Sequence, residues 1–187
     1  MSSSRNTVVR SMHDLGAAAW FGGSLAGAIG INGAASDIED PAERAKIASN
    51  GWARWSPVSA AAIGAHALGG LGLILANRGR VKDQAGVTSN TVVKTTITGL
   101  AMATTAYSGI LGSKIAAADD ATSAGATNPS AETPSDVAAA QRQLNILQWA
   151  TPALTALIVI LGSQQGEQQR PNEHVAGKIK KALQRTS

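Results

Sequence analysis

The distribution of charged residues is the feature that most constrains the fold of this sequence. Asp, Glu, Lys and Arg are absent from four windows, which run from Leu15 to Ser36, Trp55 to Asn77, Thr95 to Ser113 and Gln143 to Gly166. A helix of about 20 residues rises about 30 Å, which is enough to cross the hydrocarbon core of a bilayer. The pattern therefore predicts four transmembrane helices.

A soluble, alanine-rich helical bundle is the main alternative. The mean hydropathy of +0.01 favours it, and so does the low aromatic content. However, a surface helix of a soluble bundle carries polar or charged residues every three or four positions. The low hydropathy arises because the windows consist largely of Ala, Gly, Ser and Thr. We therefore expect an all-α integral membrane bundle of four transmembrane helices, forming a single domain over residues 1–187.

The charges between the windows predict the orientation. Lys and Arg are concentrated before the first window, between the second and third windows, and after the fourth. The positive-inside rule places these segments in the cytoplasm. We expect spans at 12–36, 55–77, 94–114 and 143–165, outer loops at 37–54 and 115–142, and a cytoplasmic tail at 166–187. A cleavable signal peptide remains the alternative for the first window, because Arg5 and Arg10 precede an apolar stretch ending in Gly33-Ala34-Ala35.

The two outer connections differ in character. Asp40-Pro41-Ala42-Glu43 is typical of a helix start. It predicts a short outer helix to about Ser49, ended by Asn50-Gly51. The segment from Asp119 to Ser135 is rich in small and polar residues, which predicts a mobile outer loop. Trp52, Trp55 and Trp149 are expected near the outer interface, although ordinary packing would also account for them.

The tail combines apolar and basic residues. Val175, Ile179 and Leu183 recur at intervals of four among lysines and an arginine. This predicts a basic amphipathic helix on the inner leaflet, with a solvated tail as the alternative. The net charge of +4 is therefore expected to meet anionic lipid headgroups rather than nucleic acid.

Small residues recur at intervals of four in the predicted spans. The first span carries a ridge of Gly22, Ala26, Gly30 and Ala34, beside a second ridge of Ala19, Gly23 and Gly27. The third span carries Thr95, Gly99 and Ala103. Small residues at this spacing let helix backbones approach closely in a membrane. We expect Gly22, Ala26, Gly30, Gly99 and Ala103 to be helix-packing residues, within one chain or between chains.

Ionisable residues lie at two places in or beside the windows. Arg10 and Asp14 are four apart and can pair on one helix face, so with His13 they predict an ion-pair group at the inner interface. His66 lies near the middle of the second span, where a neutral imidazole needs hydrogen-bond partners. One interpretation is a structural histidine, and the other is an axial ligand of haem. No other cofactor and no metal site is expected.

The expected depths of the two histidines argue against one shared haem. His66 lies about twelve residues from the inner end of its window, which corresponds to about 18 Å. His13 is expected at the inner edge itself. A haem between two histidines would then need His66 from each of two subunits.

No catalytic motif stands out. The sequence has no phosphate-binding glycine loop, no HExxH helix and no nucleophile elbow, so we do not expect an enzyme. The stretch His13-Asp14-Leu15-Gly16-Ala17-Ala18-Ala19-Trp20-Phe21-Gly22-Gly23 resembles uncharacterised small membrane proteins of actinobacteria. The resemblance implies a bacterial plasma membrane, and it implies no activity.

Three functions are compatible with these features. The first is a non-enzymatic accessory or assembly subunit that packs through small-residue helix faces with itself or with other membrane subunits. The second is an electron-transfer subunit associated with haem or a quinone. The third is a small transporter that uses the threonines of the third span and a fourth span kinked at Pro152.

Overall fold

A computed structural model describes residues 6–76, 78, 85–118 and 121–167. Helix α1 (Thr7–Ala26) continues through a π-helical turn (Gly27–Ile31) into α2 (Asn32–Ser36). Helices α3 (Pro41–Ala76), α4 (Ala85–Ala116) and α5 (Ser135–Glu167) follow. The part of the chain described above is all-helical, with four helical segments, and it contains no strand beyond one isolated bridge between Ser123 and Pro129.

Helix α1 does not end at its glycines. Gly22 and Gly23 lie inside α1, and Gly27 and Gly30 lie in the π turn that follows. A π turn inserts one extra residue into the helical repeat and is frequently found at functional sites. Here it precedes Asn32, whose side chain is only 7% exposed. The turn therefore sets the direction in which the amide of Asn32 enters the bundle.

Helix α3 is longer than the sequence suggested. A carboxylate oxygen of Asp40 accepts a hydrogen bond from the Ala42 amide at 2.9 Å, as expected for a helix start. The predicted end at Asn50-Gly51 is wrong, because α3 runs without a break to Ala76. A glycine inside a helix costs only about 1 kcal/mol. At Gly51 the absent side chain leaves room for Ile31, whose Cγ2 would lie 2.8 Å from an added Cβ.

The helices form an open arc in the order α3, α1, α5, α4. Helix α1 packs along both α3 and α5, and α4 packs along α5. Helices α3 and α4 have few contacts with each other, so a gap separates them. We call the end of the bundle with residues 37–40, 117–118 and 121–134 the loop end, and the opposite end, with Thr7 and Ala76, the terminal end.

The interior consists mainly of small residues. At the centre, Ala17, Trp20, Ala101 and Ile158 form one buried cluster. At the loop end, a second cluster joins Leu111, Ile115 and Val137 to three alanines. Thr155 and Gln141 are fully buried as well. Small and polar side chains therefore fill much of the space between the helices.

The loop after α4 has many fixed contacts, which differs from the mobile segment predicted for 119–135. The Gln141 amide nitrogen lies 2.9 Å from Ser123 Oγ and 3.2 Å from the Gly125 carbonyl. The loop is also tied to α3, because the Ser123 amide donates to the Pro41 carbonyl at 3.1 Å. A buried amide side chain thus organises a segment that contains few apolar anchors.

The predicted spans 94–114 and 143–165 lie inside longer helices, and the span 12–36 lies within the segment formed by α1, the π turn and α2. The span 55–77 lies inside α3 as far as Ala76, and residue 77 lies outside the described residues. Two helices, α3 and the part of α5 from Ser135 to Gln164, are long and apolar enough to cross a membrane by length and composition. This finding is weak evidence of membrane association. The predicted amphipathic helix of the tail lies outside the described residues.

Replacement of Gln141 by leucine should release the loop. The change removes the amide that bonds to Ser123 and Gly125, and each lost hydrogen bond costs about 1 kcal/mol. We expect limited proteolysis between residues 121 and 134 to become several times faster. Gln143→Leu is the matched control, because Gln143 is exposed and bonds to Tyr107 and to its own helix. Equal cleavage of both variants would contradict the role of Gln141.

Candidate functional site

Two glycines bring α1 and α3 into backbone contact near the terminal end. A Cβ added to Gly16 would lie 2.5 Å from the Ala62 carbonyl oxygen and 2.6 Å from the His66 amide nitrogen. A Cβ added to Gly69 would lie 2.5 Å from the His13 amide nitrogen. No side chain fits at either position without moving a backbone. This close approach places His13 opposite His66.

The two histidines form a buried stacked pair. Their ring centroids are 4.2 Å apart with an angle of 35° between the planes. His66 Nδ1 donates a hydrogen bond to the His13 carbonyl oxygen at 3.0 Å. His13 Nδ1 lies 2.7 Å from a carboxylate oxygen of Asp14. A carbonyl oxygen can only accept, so the proton of a neutral His66 is on Nδ1.

The prediction that His13 lies at the inner edge of the membrane and His66 deep inside it is wrong, because the two rings are in contact. That prediction counted the depth of each histidine from the nearest charged residues. In the structure Gly69 of α3 faces His13, and Gly72 faces Val9. Helix α3 therefore extends past the start of α1. The charged residues that flank these two helices therefore do not lie at one level.

The stacked pair does not fit a haem. Two axial histidines must lie on opposite faces of the macrocycle, whereas these rings are in direct contact. His66 is also only 3% exposed, and its backbone touches α1 at Gly16. The contacts identify His66 as a histidine that holds α1 against α3, and its other near aromatic neighbour is Trp20, at 6.3 Å between centroids.

A buried lysine lies close to this pair, and the sequence did not single it out. Lys94 on α4 is 7% exposed. Its Nζ would lie 3.3 Å from a Cβ added to Gly162 on α5. Asp14 attracts the ammonium group and Arg10 repels it. Of the predicted group of Arg10, His13 and Asp14, the structure places His13 and Asp14 in direct contact and Arg10 within electrostatic range of Lys94.

A cavity of about 270 Å³ lies on the loop-end side of Trp20. One face of α3 and one face of α4 line this cavity across the gap. The lining residues are Ser49, Trp52, Ala53, Ser56 and Ser59 on α3 and Thr105, Ser108, Gly109, Gly112 and Ser113 on α4. Trp20 forms one end, and Ala126 and Thr127 form the other. The cavity thus occupies the gap that the few contacts between α3 and α4 leave open.

Glycines of α1 position the two cavity tryptophans of α3. A Cβ on Gly23 would overlap the ring of Trp55, and a Cβ on Gly27 would overlap the ring of Trp52. Of the predicted ridge of Ala19, Gly23 and Gly27, the two glycines therefore serve for indole packing, whereas Ala19 is exposed. Trp52 and Trp55 are partly buried against α1, whereas Trp149 is 50% exposed.

A chain of side-chain hydrogen bonds crosses the bundle beside the cavity. The Trp52 indole donates to Asn32 Oδ1 at 2.8 Å, and Asn32 Nδ2 donates to Gln148 Oε1 at 2.8 Å. Gln148 Nε2 then donates to Thr127 Oγ1 at 3.2 Å. The chain connects α3, α2, α5 and the loop. The polar positions of α5 are visible in the sequence, but their connection to Asn32 depends on the π turn.

The predicted helix-packing residues lie on the outside of the bundle. Gly22, Ala26 and Gly30 are exposed on α1 and the π turn, and Gly99 and Ala103 are exposed on α4. A Cβ added to Gly22, Gly30 or Gly99 would meet no atom within 4 Å. These positions therefore do not form the helix contacts of the described chain, which use Gly16, Gly23, Gly27 and Gly69 instead.

Comparison of the chain with protein-family models, curated proteins and solved structures gives no match. The resemblance of the first span to actinobacterial membrane proteins therefore stays a prediction.

Replacement of Gly69 by alanine should destabilise the contact between α1 and α3. The new methyl group would strike the His13 backbone, so the helices must separate, and we expect a cost of about 1–3 kcal/mol. Gly64→Ala is the matched control on the same helix, because its Cβ would meet nothing within 4 Å. Thermal unfolding of both variants in one detergent measures the difference. An equal Tm would contradict the close approach at Gly69.

Proposed function

We propose that this protein is a non-enzymatic, four-span membrane protein that acts as an accessory or assembly subunit. The observation that carries the proposal is the placement of large aliphatic side chains on the outside of the bundle. The exposed set includes Val8, Leu15 and Ile29 on the first segment, Leu68, Leu71 and Leu75 on α3, Val92, Leu100 and Ile110 on α4, and Ile146, Leu157 and Ile160 on α5.

This arrangement supports contact with lipid on all four segments. Soluble monomers rarely expose a contiguous apolar patch of more than a few hundred Å², and their interiors are rich in large aliphatic residues. Here alanine, threonine, serine and histidine hold many interior positions, and leucine and isoleucine hold many exterior ones. Contact with lipid removes the free-energy cost of exposing these aliphatic side chains to water. The small interior residues permit close contact between the helices.

The orientation follows from the basic residues. The terminal end carries Arg10, Arg78 and Lys94, and the loop end carries acidic residues at Asp37, Glu39 and Asp40. The positive-inside rule then places the terminal end in the cytoplasm of a bacterial plasma membrane. Anionic headgroups are the proposed partners of the basic tail.

The partner surface of the proposed subunit is the pair of exposed small-residue ridges. Gly22, Ala26 and Gly30 form one, and Gly99 and Ala103 form the other. The open space at these ridges and the spacing of their residues support contact with a helix of another membrane subunit or of a second copy.

The haem alternative has less support, because His13 and His66 stack on each other and His66 is inside the bundle. The transporter alternative also has less support. It relies on the threonine hydroxyls of the third span, but those of Thr95 and Thr104 bond to carbonyls of their own helix.

Cysteine labelling tests the membrane topology. The sequence has no cysteine, so single cysteines can be introduced without interference. In intact cells, Ala131→Cys in the exposed loop should react with an impermeant maleimide. Leu100→Cys, exposed on α4 and proposed to face lipid, should stay unlabelled until the protein is denatured. Labelling of Leu100→Cys in intact membranes at the rate of Ala131→Cys would contradict the four-span proposal.

Leucine substitution tests the ridges. In native membranes, Gly22→Leu combined with Gly30→Leu should remove the protein's partner, measured by gentle pull-down with mass spectrometry and by the mass of the detergent complex. Ala153→Leu on α5 is the control, because Ala153 is also exposed but lies in neither ridge. A wild-type protein that purifies as a lone monomer, or a partner retained by the Gly22/Gly30 variant, would refute the accessory role.

A further inference from the structure

The cavity between α3 and α4 contains polar groups that have no hydrogen-bond partner among the described residues. Several serine and threonine hydroxyls of the bundle bond to a carbonyl of their own helix, as Ser56 and Ser113 do. Within the described part of the chain, no hydrogen bond is made by the hydroxyls of Ser49, Ser59 and Ser108 or by the indole NH of Trp55. All four residues line the cavity. They provide donors for a molecule inside it.

The cavity is uncharged. No Asp, Glu, Lys, Arg or His belongs to its described lining, although Lys94, His13 and Asp14 lie further toward the terminal end. A charged ligand would therefore lose its hydration without gaining an opposite charge, which is costly. The tryptophans Trp20, Trp52 and Trp55 add flat apolar surface, on which an aromatic ring can stack at centroid distances of about 4.5–7 Å.

The dimensions favour a small molecule over a protein helix. A volume of about 270 Å³ is close to the lower end of ligand pockets, which begin at about 300 Å³. A helix with its side chains is about 10–12 Å wide and needs a groove that is open along its length. This cavity ends at Trp20 on one side and at Ala126 and Thr127 on the other.

We propose that the cavity between α3 and α4 binds a neutral, planar small molecule of one or two rings that carries carbonyl oxygens. The free hydroxyls and the Trp55 indole donate hydrogen bonds to the carbonyl oxygens, and the tryptophan rings stack on the planar part. The ligand enters through the gap between α3 and α4. This inference is independent of the small-residue ridges, which lie on the outer faces of α1 and α4.

The test uses 1,4-naphthoquinone and measures quenching of tryptophan fluorescence in lipid nanodiscs. The Trp149→Phe background removes the indole outside the cavity, so the remaining signal comes from Trp20, Trp52 and Trp55. The absence of cysteine excludes addition of the quinone to a thiol. Naphthalene, which has no acceptor, and a naphthoquinone sulfonate, which is charged, are the comparison ligands.

Two variants separate binding in the cavity from partition into lipid. Gly112→Leu should abolish saturable quenching, because Gly112 lines the cavity and an added Cβ there would meet no atom within 4 Å, so a larger side chain can take up cavity space. Ala106→Leu is the matched control, since it adds the same side chain to an exposed position of the same helix. It should bind as the parent does. Both must unfold at the same temperature as the parent for the comparison to count as support.

The serine variants test the chemistry of recognition. Ser59→Ala combined with Ser108→Ala should weaken naphthoquinone binding about tenfold, as expected for the loss of two hydrogen bonds. Quenching that rises linearly with naphthoquinone concentration, or that is equal in Gly112→Leu and Ala106→Leu, would overturn the proposal that the cavity is the binding site. Naphthalene or the sulfonate binding as tightly as naphthoquinone, or an unchanged affinity of the serine variant, would overturn the proposed ligand class.

Discussion

The backbone contact between α1 and α3 is the constraint on which the rest of the structure depends. Gly16 and Gly69 lie where any side chain would strike the opposite backbone. The contact fixes the register of α1 on α3, and so it stacks His13 on His66. The same register brings Gly23 and Gly27 under Trp55 and Trp52. One helix pair thus determines both the histidine pair and the tryptophan wall of the cavity.

The cavity follows from an interior built of small residues. Alanine, glycine and serine allow close contact where two helices meet, as α1 and α3 do, but they cannot fill a gap where helices separate. Between α3 and α4 most of the facing residues are small, because Trp52 and Trp55 pack against Gly27 and Gly23, and the large side chain of Trp20 closes only one end. Large aliphatic residues that could fill the gap lie on the outside of the bundle instead. A bundle of this composition therefore combines tight helix pairs with open interhelical space.

The sequence predicted the helical class and the approximate positions of the helices, because a long window without charged residues favours an uninterrupted helix, although the helices extend beyond the windows. It failed at Gly51, where packing against Ile31 outweighs a weak local preference, and in the loop after α4, which one buried glutamine organises. The pairing of His13 with His66 was missed because depth was counted from charged residues. The burial of Lys94 has no local signal, since it depends on space that Gly162 provides on another helix.

The π turn has a consequence for insertions and deletions in this chain. It contains one residue more than an α-helical path would need. Deleting a single residue between Gly27 and Ile31 would let the segment continue as a regular α-helix, and the later residues would keep nearly their present direction relative to α1, because the turn takes up the extra residue. Asn32 would then still face Gln148 and Trp52. A single deletion within α1 would instead rotate Asn32 by about 100° relative to the residues before the deletion, so the same change has opposite consequences a few residues apart.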